Sequence, residues 1–166
     1  PKVYEWGGAF ATPGNAYKWV AQAVDGEYAD PAMKLVVFAV EEGDSEHLME
    51  VAEAAAELMA GTCTSVSTGG SIATPTSGGA CYSLQFPADA ATDFTATVST
   101  TGVGHVAFFG EHVPTEFERD THYFMSSDLA MDNEPAAQTD ARLMTCMSGA
   151  RANADMIRRV DKVIKG

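Results

Sequence analysis

The sequence predicts an α+β fold, in which an antiparallel β-sheet or meander has helices packed on one face. One segment, residues 44–61, has its apolar side chains at helical spacing. Three later runs, residues 82–86, 94–98 and 105–109, alternate apolar and polar side chains as half-buried strands do. The chain has 166 residues, 46% of them hydrophobic, which is enough to build the core of a single domain over residues 1–166.

The first part of the chain predicts two helices with a strand between them. Asn15 is a good N-cap for a helix over residues 16–24. The apolar run at residues 34–40 then predicts a buried strand. The helix over residues 44–61 begins at a capping residue and ends at Gly61, the residue type that most often terminates a helix.

The middle of the chain predicts a loop and a hairpin. Residues 62–80 are rich in Ser, Thr and Gly, and their apolar residues follow neither the helical nor the strand spacing. The segment is therefore predicted to be a flexible surface loop or a β-arm. The turn at residues 99–102 predicts that the strands at residues 94–98 and 105–109 pair as an antiparallel hairpin.

The last part of the chain predicts helices. Thr115 and Glu118 have the spacing of a capping box, which indicates a short helix that ends near residue 124. Pro135 can begin a final helical region, which closes with a basic C-terminal helix over residues 150–165.

The net charge excludes one class of partner. The chain has a formal charge of −13, whereas nucleic-acid binding needs clustered Lys and Arg, so no nucleic-acid partner is expected. No apolar run reaches the roughly 18 residues that read as a membrane-crossing helix, so we expect a soluble protein without a transmembrane segment. The sequence leaves the cellular compartment open.

The charge is unevenly distributed along the chain. Residues 151–166 hold five basic and two acidic side chains, whereas the rest of the chain holds five basic and 21 acidic ones. Four glutamates share one stripe of the helix over residues 44–61: Glu46, Glu50, Glu53 and Glu57. The stripe is either solvated or faces a cation. The basic tail, within one chain or between copies, would supply that cation from Arg151, Arg158, Arg159, Lys162 and Lys165.

The three cysteines indicate at most one disulfide. Cys63 and Cys81 flank the Ser/Thr/Gly-rich segment, and an oxidising compartment would let them close it as a loop. Cys146 would then stay unpaired.

A metal site is the sharpest functional hypothesis. Three of the four histidines lie within residues 105–122 among acidic side chains, and imidazole with carboxylate suits Zn²⁺ or another divalent transition metal. The candidate ligands are His105, Glu111, His112, Glu118 and His122. Of these, His112, Glu118 and His122 form the best set, because the last two are four residues apart on a predicted helix. Alternatively, Glu118 only caps that helix and the histidines are simply hydrogen-bonded.

Catalytic signatures are missing from the sequence. It has no Walker A motif, no G-x-S-x-G elbow, no H-E-x-x-H and no Cys-x-x-Cys. Residues 102–107 match the letters of a dinucleotide fingerprint, but they lead into a strand and not into a helix. A non-catalytic domain is therefore expected.

The segment GHVAFFGEHVPTEFERDTHYF, residues 104–124, resembles an accessory stretch of CobW-like metal-handling proteins. The resemblance implies metal traffic or sensing, with Glu111, His112 and His122 at the matching polar positions. CobW-like proteins are GTPases, and this chain lacks their P-loop, so the resemblance extends only to an appended non-catalytic domain.

The sequence thus predicts a non-catalytic, metal-binding domain. The alternative is a structural protein that assembles with copies of itself into a lattice, shell or filament, through contacts between its acidic body and its basic tail. A third reading, a small-molecule binding module, has no identifiable ligand.

Overall fold

The structure is a computed structural model, and it describes residues 4–140. Within that range the chain forms ten strands, two α-helices and one 3₁₀ turn. In chain order these are β1 (Trp6–Ala11), β2 (Ala16–Ala21), β3 (Ala32–Ala39), α1 (Ser45–Glu50), α2 (Ala52–Ala60), β4 (Thr64–Ser67), β5 (Ser71–Ile72), β6 (Ala80–Gln85), β7 (Phe94–Ser99), β8 (His105–Gly110), the 3₁₀ turn (Pro114–Phe117), β9 (Phe124–Ser126) and β10 (Ala137–Asp140).

The strands form two sheets. A six-stranded sheet has the order β10-β1-β8-β3-β6-β4, and a four-stranded sheet has the order β5-β7-β2-β9. The β4–β6 and β5–β7 pairs are parallel, and the other strand pairs of the two sheets are antiparallel. The fold is therefore mostly β with two helices, a mixed composition as expected, but with two sheets in place of one meander.

Aromatic side chains fill the space between the two sheets. Trp19 on β2 lies 5.0 Å from Phe108 on β8, measured between ring centroids, and Phe10 on β1 lies 5.0 Å from Phe124 on β9. All four rings are almost completely buried. Each strand has an inward face because alternate side chains point to the same side of a sheet.

A second apolar cluster involves the two helices and the six-stranded sheet. Leu48 on α1 and Ala55 and Met59 on α2 belong to the same buried cluster as Phe38 and Phe109. Phe109 follows Phe108 on β8, so the two neighbours point to opposite faces of the sheet and enter different clusters.

The prediction of a helix over residues 44–61 is confirmed, with a break at Val51 that divides it into α1 and α2. Asp44 is the N-cap, and its carboxylate accepts the backbone N–H of His47 at 2.9 Å. Gly61 is the C-cap. The predicted strands at residues 34–40, 82–86, 94–98 and 105–109 are confirmed as β3, β6, β7 and β8.

The Asp44 cap predicts a pH dependence of stability. Its carboxylate also lies 2.6 Å from His47 Nδ1, and this hydrogen bond raises the pKa of His47 above the ordinary value of 6.5. Protonated His47 therefore stabilises the fold below pH 6.5, and the contribution disappears as pH rises through the higher folded pKa. We expect His47→Gln to lower the free energy of unfolding at pH 5.5 by up to about 1 kcal/mol. The loss at pH 9 should be smaller than the loss at pH 5.5. Urea unfolding at both pH values measures this, and equal losses would contradict it.

Three local predictions are wrong. Residues 16–21 form strand β2 and not a helix, since they pair with β7 and with β9. Strands β7 and β8 do not form a hairpin, because they belong to different sheets. The helix predicted from Thr115 is a single 3₁₀ turn that ends at Phe117. The Glu118 carboxylate does not complete a capping box with Thr115 but accepts the backbone N–H of Tyr123.

Two further segments complete the comparison with the sequence. Residues 62–80 contain β4 and β5, one on each sheet, which agrees with a β-arm and not with a structureless loop. The helical region predicted from Pro135 begins instead with strand β10, and the basic helix predicted over residues 150–165 lies outside the described residues. Among residues 4–140, no helix is long and apolar enough to cross a membrane.

Candidate metal centre

The imidazole of His112 lies among carboxylates from several segments of the chain. Its Nε2 atom is 3.3 Å from Asp30 Oδ2 and 3.8 Å from Glu111 Oε1, and its Nδ1 atom is 3.8 Å from Glu5 Oε1. Asp30, His112 and Glu116 each offer one ligand atom, and these atoms all lie within 4.8 Å of one another. We call these three residues the His112 site.

Strand pairing assembles the His112 site. Strand β8 lies between β1 and β3, and Gly110, its last residue, is in register with residues of both neighbours. The backbone N–H of Glu5 donates to the carbonyl of Gly110 at 3.0 Å, and that of Glu111 donates to the carbonyl of Lys34 at 2.9 Å. Residues just beyond the ends of these three inner strands, His112 included, therefore meet at one end of the six-stranded sheet.

A cleft of about 370 Å³ opens beside His112. It is lined by Tyr4, Glu5, Lys34, Met59, Ala60, Glu111 and His112. The ammonium group of Lys34 donates to the carbonyl of Met59 at 3.0 Å, at the end of α2. Burial raises the pKa of the Tyr4 phenol, so this wall of the cleft adds no negative charge at neutral pH. The lining of the cleft includes His112 but neither of the two carboxylates of the His112 site.

His122 has different neighbours. Its Nδ1 atom is 2.9 Å from Glu118 Oε1, and its Nε2 atom is 3.0 Å from the carbonyl oxygen of Asn133 and 3.7 Å from Glu134 Oε2. His122, Asp132 and Glu134 offer ligand atoms that lie within 4.8 Å of one another. We call these three residues the His122 site.

A buried amide holds the loop that precedes His122. Gln22 is 1% exposed, and its Oε1 atom accepts the backbone N–H groups of Arg119, Asp120 and Thr121 at 2.9, 3.0 and 3.0 Å. Its Nε2 atom donates to the Asp120 carboxylate at 2.7 Å, which lowers the pKa of that carboxyl. The side chain of Gln22, the residue that follows β2, therefore holds the loop that leads into His122.

The structure divides the five predicted ligands among three places. His105 is the first residue of β8 and His112 lies two residues beyond its last, so the length of this six-residue strand, about 17 Å, lies between them. Glu111 lies beside His112, whereas Glu118 contacts His122. The two ligand groups described above contain His112 and His122 separately, and His105, Glu111 and Glu118 are in neither.

Sequence reasoning missed Glu5, Asp30 and Glu116 near His112, and Asp132 and Glu134 near His122. Glu5 and Asp30 are far from His112 along the chain, and Asp132 and Glu134 lie on the connection between β9 and β10. Their common local signal is that they are acidic residues near strand ends, in a chain that has many acidic residues. Strand pairing and the connection from β9 to β10 bring them close to an imidazole.

The predicted cysteine pair is bonded in the structure. Cys63 and Cys81 form a disulfide with a Cα–Cα distance of 4.8 Å. The bond links the segment after α2 to strand β6. Cys146 lies outside the described residues.

The glutamate stripe faces outward. All four of its members are exposed: Glu46, Glu50, Glu53 and Glu57. The basic residues predicted to meet the stripe, in residues 151–165, lie outside the part of the chain that the structure describes. Their contact with the stripe, within one chain or between copies, stays a prediction.

We found no protein family, curated protein or solved structure with significant similarity to this chain. The chemistry of the two sites is therefore the basis on which a function is proposed.

Proposed function

We propose that this chain is a non-catalytic domain that binds Zn²⁺ or another divalent transition metal at the His112 site. The observation that carries the proposal is the convergence of Asp30 and Glu116 on one imidazole, with ligand atoms no more than 4.8 Å apart. Imidazole nitrogen and carboxylate oxygen are ligands that Zn²⁺ and related ions prefer.

The local charge supports a cation at this position. Asp30, Glu111 and Glu5 approach the His112 ring within 3.8 Å, and Glu116 completes the ligand group. The ligand oxygens of Asp30 and Glu116 lie within 4.8 Å of each other, and two negative charges at this distance repel unless a cation lies between them. Lys34, whose ammonium is drawn to the end of α2, is a single positive charge beside several negative ones.

The ligand set also limits the kind of metal. One imidazole with carboxylates is harder than the thiolate sets that hold many structural zinc ions, so Zn²⁺, Mn²⁺ and Fe²⁺ are the suitable class. The resemblance of residues 104–124 to CobW-like metal-handling proteins agrees with this class, since Glu111 and His112 are among its matching positions.

Isothermal titration with Zn²⁺ at pH 7.5 tests the proposal. We expect His112→Ala to lower the number of ions bound per chain by one, or to weaken that site by about 100-fold or more, because even the loss of an outer-sphere partner costs about 10–100-fold. The ring of His112 is partly exposed, so the fold should persist, which circular dichroism can verify.

His105→Ala is the matched control, because it removes an imidazole from the other end of β8. It should leave Zn²⁺ binding unchanged. Unchanged stoichiometry and affinity in the folded His112→Ala variant would contradict the proposal.

A further inference from the structure

The ring of His122 lies in an environment made of hydrogen-bond acceptors. Its side chain is only 10% exposed. On one side, Nδ1 is 2.9 Å from a carboxylate oxygen of Glu118. On the other side, Nε2 faces the carbonyl oxygen of Asn133 at 3.0 Å and a carboxylate oxygen of Glu134 at 3.7 Å. None of these three oxygens can donate a hydrogen bond.

A neutral imidazole does not satisfy this arrangement. It carries one hydrogen, while both ring nitrogens face oxygen acceptors, at 2.9 Å for Nδ1 and 3.0 Å for Nε2; when the hydrogen is on Nδ1 and donates to Glu118, Nε2 has none. The lone pair of Nε2 then points at the lone pairs of Asn133 O. A buried contact of this kind is unfavourable unless a cation lies at Nε2, and that cation is either a second proton or a metal ion.

The surroundings of Nε2 favour the metal ion. Asp132 and Glu134 bring two further carboxylates, with ligand atoms within 4.8 Å of one another and of the imidazole. A histidine that binds a metal through one nitrogen almost always donates the other N–H to a carboxylate or a carbonyl, and Glu118 has that position. The negative charges of Glu134 and Glu118 also act on the neighbouring Tyr123. Burial first, and then these two carboxylates, raise the pKa of the Tyr123 phenol.

We propose that the His122 site binds a second divalent metal ion, through His122 Nε2 and the carboxylates of Asp132 and Glu134, with Glu118 orienting the ring. The carbonyl of Asn133 lies on the same side of the ring and is a fourth oxygen within reach. The second ion is independent of the ion proposed at the His112 site, because the two ligand groups share no residue.

The ion would join the two sheets at their edges. His122 lies just before β9, an outer strand of the four-stranded sheet. Asp132 and Glu134 lie on the connection from β9 to β10, an outer strand of the six-stranded sheet. This connection is already anchored, since the side-chain amide of Asn133 donates to the carbonyl of Ala11 on β1 at 2.9 Å. Metal binding should therefore raise the melting temperature, because the ion binds the folded chain.

The experiment uses the full chain with Zn²⁺ alone as the probe, in a His112→Ala background that removes the first site. We expect native mass spectrometry to show one bound Zn²⁺ ion in this background and none after the further change Asp132→Asn with Glu134→Gln. These two side chains are exposed, so the double change leaves the buried ring and the fold intact. Glu118→Ala should retain the ion but weaken its binding by about 10–100-fold.

Nitrogen-15 spectra of the His122 ring distinguish the metal ion from a proton. With excess Zn²⁺, the proposal predicts a hydrogen on Nδ1 alone and a metal-shifted Nε2 resonance. A ring that keeps hydrogens on both nitrogens in excess Zn²⁺ would overturn the proposal and identify the cation as a proton. The proposal also fails if the His112→Ala background binds no Zn²⁺, or if the Asp132→Asn, Glu134→Gln chain binds as much as its parent. Neither result bears on the His112 site, which is tested by the difference between the native chain and His112→Ala.

Discussion

Replacing Trp19 by alanine is expected to lower the free energy of unfolding by about 4 kcal/mol. The indole is 1% exposed and lies between the sheets, with ring centroids 5.0 Å from Phe108 and 5.3 Å from Tyr123. Truncation therefore removes a large buried apolar surface and leaves a cavity that both sheets line. Equilibrium unfolding in urea gives the value.

Lys18→Ala is the control for Trp19→Ala, because Lys18 is the preceding residue on β2 and points to the opposite face. It should change the free energy of unfolding by no more than about 0.5 kcal/mol. Similar losses in the two variants would contradict the strand assignment of residues 16–21 and the two-sheet core built on it.

Breaking the Cys63–Cys81 disulfide is expected to lower the free energy of unfolding by about 3 kcal/mol. The two cysteines are 18 residues apart, and the bond restricts the unfolded chain by closing that loop. The loop contains β4 and β5, which extend the two sheets at one edge, so its release also frees two short strands. The corresponding fall in melting temperature is roughly 6–12 °C.

Thermal unfolding of the oxidised chain, the reduced chain and the Cys63→Ser, Cys81→Ser variant measures this effect. The reduced chain and the variant should melt at the same lower temperature, and reductant should not affect the variant further. A variant as stable as the oxidised chain would show that the bond contributes nothing to stability.

Local sequence signals predicted the elements whose boundaries depend on local chemistry. The Asp44 cap and the Gly61 terminus define the helical segment, because both satisfy backbone groups within one turn of the helix. The strands β6, β7 and β8 were visible from their alternation of apolar and polar residues. These features depend on a few consecutive residues, so they can be recognised without knowing which distant segment of the chain packs against them.

The errors have a different physical origin. Residues 16–24 combine an N-cap with apolar residues at helical spacing, yet β2 is central in its sheet and pairs on both sides, which outweighs a weak local preference. Strand β1 gave no signal because it contains Gly7 and Gly8, a residue type depleted in strands. Gly8 is required there by packing, since a Cβ atom would lie 2.5 Å from Cζ2 of the Trp6 ring.

The sequence indicated that histidines would lie near carboxylates, but it did not indicate which carboxylates these would be. Histidine among carboxylates indicated a metal, and His112 and His122 both have carboxylate neighbours. Further candidate ligands, such as Asp30 for one site and Glu134 for the other, become neighbours of the histidines only through strand pairing and the connection between the sheets. The predicted set had placed Glu118 and His122 on one helix, whereas a non-helical loop brings them into contact.

The most direct test of the metal proposal is an anomalous diffraction map at the zinc edge from crystals of the full chain grown with Zn²⁺. We expect a peak about 2.0–2.1 Å from a ring nitrogen of His112 and about 2.0–2.2 Å from carboxylate oxygens of Asp30 and Glu116. A map without a peak at His112, from crystals grown in saturating Zn²⁺, would contradict it.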